Sequence, residues 1–157
     1  MKPSTFLRSL LLLTSSLTCL APAMAQTSGA DQAAPSLQIL WPAEGSTIAL
    51  GSDPERAIGM VVGSNFRLKP AGQCGDDKRC GHVHLKIDPN GDTCNQPGKP
   101  YNSMNSDFGG PLIAARFGFC TQATGEHVIG ILLADDHHRP VLVNGQPVTA
   151  LVKVKTQ

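Results

Sequence analysis

Short apolar runs separated by turn-forming residues constrain the fold of this chain more than any other feature. Runs such as residues 37–40, 57–62 and 127–134 recur at intervals of roughly ten residues, which is the spacing typical of a sandwich or barrel. Near the end of the chain, Val148, Ala150, Val152 and Val154 alternate with other residues, as in a strand with one buried face. No window shows sustained helical periodicity. We therefore expect an all-β domain.

The predicted strands number about seven, and that number in one domain favours an immunoglobulin-like antiparallel β-sandwich. A polar stretch at residues 93–107, rich in Asn, Pro and Gly, interrupts the series and predicts a long ordered loop. Cys94 could anchor that loop, and Tyr101 lies at its centre.

The first 25 residues have the pattern of a secretory signal peptide. Lys2 and Arg8 precede an apolar run at residues 10–20, and the small-residue tripeptide AMA at 23–25 suggests cleavage after Ala25. The run is shorter than the roughly 20 residues that a bilayer-spanning helix needs. We expect an exported protein, periplasmic or extracellular, without a transmembrane segment.

Residues 26–36 are small and polar, which predicts a flexible leader, and residues 37–157 form the predicted single β-sandwich domain. Cleavage removes Lys2 and Arg8, so 13 basic residues become 11 against 12 acidic ones. This balance gives no electrostatic basis for binding nucleic acid or anionic lipid.

Four cysteines remain after the predicted cleavage: Cys74, Cys80, Cys94 and Cys120. An even number in an exported chain indicates two disulfides. We favour Cys74 with Cys80, because the polar residues between them could form a tight loop, and this leaves Cys94 to reach Cys120. The alternative is a thiolate metal site, which requires reduced cysteines at closer spacing.

Two histidines one residue apart carry the sharpest functional hypothesis. In a strand, His82 and His84 share one face while Val83, Leu85 and Ile87 share the other, which we assign to the core. The imidazoles then lie on the outer face, about 7 Å apart at their Cα atoms, close enough to bind one metal ion. The alternative is that both are polar residues on a solvated sheet face, or partners of the long loop.

The other histidines lie later in the chain. His127 follows a turn glycine at the start of a predicted strand, where it is either a further ligand or a structural corner residue. His137 and His138 lie in a polar loop before Pro140, beside two aspartates that could orient an imidazole. Neutral imidazole nitrogens suit zinc and copper, and copper(II) binds them more strongly.

Three spaced motifs resemble those of a family of small exported bacterial domains of unknown function. The pattern G-H-x-H-L-x-x-D matches residues 81–88. The start of G-x-H-T-L matches residues 125–128, with Val128 in place of the threonine, and an Asp with a later H-x-P matches residues 135–140. The resemblance implies a β-sandwich outside the cytoplasm. It places His82, His84, His127 and His138 at the family's histidine positions.

The string His82-Val83-His84 is also similar to the copper-ligand strand of copper/zinc superoxide dismutases, whose remaining motifs this chain lacks. No catalytic motif was found, so we assign no catalytic residues.

We expect a non-catalytic protein that binds copper or zinc through surface residues His82, His84 and His138, with His127 as a further candidate. A second hypothesis is an adhesion or scaffold module that recognises a protein or glycan through the long loop. A copper-dependent redox enzyme is the third.

Overall fold

The structure, a computed structural model, describes residues 33–90, 94 and 110–157. The predicted signal peptide, most of the predicted leader and the long loop around Tyr101 lie outside the described residues. The described domain begins at Ala33. Residues 33–36, predicted as the end of the leader, are hydrogen-bonded to the rest of this domain. The side-chain amide of Asn65 donates to the Ala34 carbonyl oxygen, and the Ser36 backbone amide donates to Asn65 Oδ1.

Ten strands and one 3₁₀ turn occupy the described residues. The strands are β1 (Leu37–Trp41), β2 (Ser46–Ile48), β3 (Ala57–Ser64), β4 (Arg67–Leu68), β5 (Cys80–Ile87), β6 (Leu112–Arg116), β7 (Gly125–Ala134), β8 (Leu142–Val143), β9 (Gln146–Pro147) and β10 (Thr149–Thr156), and the 3₁₀ turn is Phe117–Phe119. The count exceeds the predicted seven because several strands are only two or three residues long. Strand β6 ends at Arg116, directly before the 3₁₀ turn.

The strands form two main sheets and a small hairpin. One sheet has the order β1-β3-β6 and the other the order β2-β10-β7-β5-β4, while β8 pairs with β9. Most pairings are antiparallel, but β2 runs parallel to β10 and β4 runs parallel to β5. The central strands correspond to the A-B-E and C-F-G sheets of immunoglobulin domains. The fold is therefore an immunoglobulin-like β-sandwich, as predicted.

Alternating apolar residues build the core between the sheets. In β3 these are Ile58, Met60 and Val62, and in the facing sheet the core residues of β5 pair in register with those of β7. Those pairs are Val83 with Leu133, Leu85 with Ile131, and Ile87 with Ile129. Each buried side chain of this size contributes about 1.5 to 3 kcal/mol relative to an exposed one.

The second face of β5 is not solvated, which differs from the sequence-based expectation. His82 is fully buried and Lys86 is only 4% exposed, whereas His84 is half-buried. At His82 the reason is that the turn following β7 folds over the outer face of β5 and packs His138 against the His82 ring. The histidines predicted at the surface therefore range from buried to exposed.

Both favoured disulfides are present, Cys74 with Cys80 and Cys94 with Cys120. Two disulfides in one domain indicate an oxidising compartment outside the cytoplasm. The described part of the chain contains no helix of the length and apolar character needed to cross a membrane.

Candidate metal centre

Strand β5 presents two imidazoles on the face opposite the core. His82 pairs with Ala134 and His84 with Leu132 of the neighbouring strand β7, so both histidines project from the outer side of the five-stranded sheet. The Nε2 atoms of the two rings lie 2.8 Å apart. The register also places His82 beside the last residue of β7, where the chain turns.

The turn after β7 brings a third imidazole to the same place. The His138 amide donates to the carbonyl oxygen of Asp135, the Asp135 amide donates to the carbonyl oxygen of Arg139, and Pro140 forms an isolated bridge with Ala134. His138 itself adopts a left-handed backbone conformation, with φ of 60°. This conformation is uncommon for a non-glycine residue, and the hydrogen bonds around the turn hold it.

The carboxylate of Asp135 stabilises this turn by accepting hydrogen bonds from it. Its oxygens accept hydrogen bonds from the amides of His137 and Arg139 and from the Arg139 guanidinium, at 2.8 to 2.9 Å. Desolvation by burial acts to raise the pKa of Asp135, but the hydrogen bonds from Arg139 and His137 and the nearby Arg139 charge outweigh it and lower that pKa. Asp135 therefore orients the backbone of the turn rather than an imidazole ring.

Three ring nitrogens form a nearly equilateral triangle. Nδ1 of His138 lies 3.1 Å from Nε2 of His82 and 3.2 Å from Nε2 of His84, which completes the triangle begun by the 2.8 Å contact between His82 and His84. We call these three residues the histidine triad. The ring centroids are 4.7 to 5.3 Å apart, and both pairs that include His138 are edge-on.

The histidine triad has the dimensions of a three-nitrogen metal site. The circle through the three nitrogens has a radius of about 1.8 Å, shorter than a Zn–N bond of about 2.0 to 2.1 Å, so one point about 1 Å off their plane lies at bonding distance from all three. The angles between bonds at that point would be about 85° to 105°, between octahedral and tetrahedral values. The triad is thus a group of side chains that could hold a metal ion.

Hydrogen bonding alone does not account for this convergence. A ring nitrogen of a neutral imidazole either carries one hydrogen, directed away from the ring, or one lone pair. Three such atoms at mutual distances near 3 Å cannot all be joined by well-aligned hydrogen bonds, because each hydrogen points to one neighbour only. A cation equidistant from three lone pairs satisfies all of them.

His127 is not part of the histidine triad. It lies on the core face of β7, buried, with its ring 5.1 Å from the Phe117 ring. Its Nδ1 donates to Oδ2 of Asp88 at 2.9 Å, and Oδ1 of Asp88 accepts from the Val128 amide. The sequence left two roles open for His127, a metal ligand or a structural corner residue, and this geometry favours the structural corner. The contact between His127 and Asp88 joins the end of β5 to β7.

A second group of potential ligands surrounds that corner. Asp88, Cys94 and His127 place a carboxylate oxygen, a sulfur and a ring nitrogen within 4.8 Å of one another. The Cys94 sulfur, however, is bonded to Cys120. Since the thiolate is the metal-binding form of cysteine, this group does not form a metal site in the oxidised protein.

Two residues that position the histidine triad were missed by the sequence reasoning. A Cβ atom at Gly81 would lie 2.2 Å from the carbonyl oxygen of Ala134, so only glycine permits the close approach of β5 and β7 next to His82. Asp136, considered only as an imidazole partner, accepts a hydrogen bond from the Cys74 amide at 3.1 Å. The glycine directly before His82 could have indicated the close approach of the strands from the sequence. The contact between Asp136 and Cys74 could not, because it joins residues distant in sequence.

No protein-family profile and no curated protein matches the chain by sequence. Among solved structures, an endo-β-1,4-mannanase from Thermotoga petrophila aligns with 83% of this chain at 12% identity and a TM-score of 0.43. The chain covers only 21% of that enzyme. The fibronectin(III)-like modules of Clostridium thermocellum CbhA align with 77% of this chain and 95% of theirs, at 12% identity and a TM-score of 0.40.

Proposed function

We propose that this protein is an exported, non-catalytic β-sandwich that binds one copper or zinc ion through His82, His84 and His138. The observation that carries the proposal is the triangle of three ring nitrogens at 2.8 to 3.2 Å. Two ligands come from one interior strand and the third from a hydrogen-bonded turn, so the donors are held in place before the metal arrives.

The donor set selects a class of metal rather than a single ion. Imidazole suits zinc, copper and nickel, while magnesium and calcium prefer oxygen ligands. For the same nitrogens, copper(II) binds more strongly than zinc. We therefore expect copper(II) to displace zinc from the site in a direct competition.

The family resemblance supports the same residues without supplying an activity. The motifs G-H-x-H-L-x-x-D and H-x-P contain all three members of the histidine triad, in segments separated by about 50 positions. We propose membership in that family on this basis. The proposed role is binding.

The test is metal analysis and calorimetry on the oxidised protein after signal cleavage. We expect one equivalent of zinc or copper(II) to bind, and His82→Ala, His84→Ala and His138→Ala each to weaken binding by more than about tenfold, because even indirect partners of metal ligands contribute that much. The matched control is His137→Ala, which removes an exposed histidine from the same turn and should leave affinity unchanged.

Two results would overturn the proposal. One is micromolar or weaker binding that none of the three substitutions changes, which would indicate adventitious surface binding. The other is equal loss of affinity in His137→Ala and His138→Ala. That result would show that both histidines of the turn contribute alike, whichever of them lies in the triad.

A further inference from the structure

The Cys74–Cys80 disulfide lies between the two segments that supply the histidine triad. Cys80 is the first residue of β5, two positions before His82. At the other end of the bridge, the Cys74 amide donates a hydrogen bond of 3.1 Å to Oδ1 of Asp136, two positions before His138. The bridge and this hydrogen bond thus connect the strand of His82 to the turn of His138.

This connection runs in parallel with the one that a bound metal would make. The metal would join β5 to the turn through His82, His84 and His138, and the disulfide joins the same two segments through Cys74 and Asp136. Both half-cystines are buried, so the bridge is packed into the domain rather than standing free. Two constraints that close the same loop reduce the same conformational freedom, and each lowers the entropy cost of the other.

Hydrogen bonds also hold this segment. Near Cys74, the Asp77 amide donates to the Cys74 carbonyl oxygen at 3.3 Å and the Gln73 amide donates to the Pro70 carbonyl oxygen at 3.2 Å. The Arg67 amide donates to the carbonyl oxygen of Arg79, and the Arg67 side chain pairs with Asp77. The contact with Arg79 fixes the Cys80 end, and the contact with Asp77 fixes the middle of the loop, where the Asp77 amide is hydrogen-bonded to Cys74. The bridge adds a direct covalent link from Cys74 to the first residue of β5, so opening it loosens the constraint on the Cys74 amide and on its hydrogen bond to Asp136.

We propose that the Cys74–Cys80 disulfide is a positioning element for the metal centre, and that opening it lowers the affinity for metal. The inference rests on the proposed metal-binding function. A dithiol reductant would open the bridge by transferring two electrons and two protons to the two sulfurs, leaving two thiols on the protein and a disulfide on the reductant. Metal affinity is then linked to the redox state of the compartment.

Linkage makes the effect reciprocal. If the closed bridge raises the affinity for metal by a given factor, bound metal favours the closed bridge over the open one by the same factor. Couplings between sites in proteins commonly amount to about 5- to 150-fold. Because one hydrogen bond carries the connection, we expect the lower end of that range.

The experiment measures zinc dissociation constants by competition with a chromophoric chelator. The variant Cys74→Ser/Cys80→Ser should bind zinc about fivefold or more weakly than the oxidised wild type. Asp136→Ala, which keeps both disulfides, should show a similar loss, and combining the changes should add little because both interrupt one connection. The matched control is Cys94→Ser/Cys120→Ser, whose zinc affinity should stay within about twofold.

The outcomes separate this inference from the proposed function. If the wild type binds no zinc or copper, the proposed function fails and the inference falls with it. If the wild type binds zinc and the folded Cys74→Ser/Cys80→Ser variant binds equally well, the inference alone is wrong. Should that variant not fold, two other measurements decide. One is the zinc affinity of Asp136→Ala. The other is reduction of the wild type by a phosphine, in which bound zinc should slow the opening of the Cys74–Cys80 bridge only.

Discussion

The Cβ atom that Gly81 lacks would lie 2.2 Å from the carbonyl oxygen of Ala134. The two residues stand at the end of the β5–β7 ladder, where β5 delivers His82 and β7 turns toward His138. The spacing between the strands at this point sets the spacing between the two histidines. A change at Gly81 should therefore affect both the stability of the domain and the metal centre.

Gly81→Ala should destabilise the protein by about 1 to 3 kcal/mol, since the methyl group meets backbone that has to shift. It should also weaken metal binding, because His82 is the next residue. Urea unfolding and calorimetry measure the two effects. Gly59→Ala is the matched control: it lies in strand β3 with no atom within 4 Å of the added Cβ, and its stability should be unchanged or slightly raised. An equal change in stability and metal affinity in the two variants would contradict the close approach of β5 and β7 at Gly81.

His127→Ala should lower the free energy of unfolding by about 2 to 3 kcal/mol, since it removes a hydrogen bond to a charged carboxylate and a buried ring. The zinc or copper affinity of the folded variant should match the wild type. Thermal unfolding and metal titration of the same sample give both values. Loss of metal binding in a folded His127→Ala variant would instead make His127 a ligand.

Asp135→Asn should destabilise the turn by about 1 kcal/mol near neutral pH. The pKa of Asp135 is lower in the folded protein than its ordinary value of 3.8, so the ionised carboxylate stabilises the fold above pH 3.8. That contribution disappears as the pH falls through the lowered pKa. The stability difference between wild type and Asp135→Asn should therefore be constant from pH 5 to 7 and shrink in stronger acid. A difference that grows in acid would contradict the direction of the pKa shift.

Bound metal should stabilise the oxidised protein. At a free metal concentration about 100 times the dissociation constant, the gain is about 2.7 kcal/mol, which raises the melting temperature by roughly 10 °C. Calorimetric scans with and without zinc measure the shift. At the same zinc concentration, His84→Ala should show no more than about half of this shift, while His137→Ala should retain the full shift.

The local parts of this structure were predictable from the sequence. Alternation in residues 82–87 determines which side chains of β5 share a face, and the spacing of Cys74 and Cys80 favours the short loop that they close. These features depend on residues within one strand or one turn. The chemistry of the local pattern is enough to predict them.

The meeting of His138 with His82 and His84 depends instead on the order of strands in the sheet. Because β5 pairs with β7 and His82 stands opposite Ala134, the turn after β7 folds beside His82. A single sequence does not reveal which strands are neighbours or in which register. The full burial of His82 follows from the same pairing. Because the pairing was not visible in the sequence, His82 was expected at the surface.

The sequence separation of the ligands imposes an order of events. His84 and His138 are 54 residues apart, and only the paired β5 and β7 bring them within 3.2 Å. An unfolded chain presents His82 and His84 as a neighbouring pair without the third nitrogen. Under the proposed function, the chain acquires its full affinity for metal only after it has folded, so loading takes place in the compartment where the protein folds and draws on the metal available there.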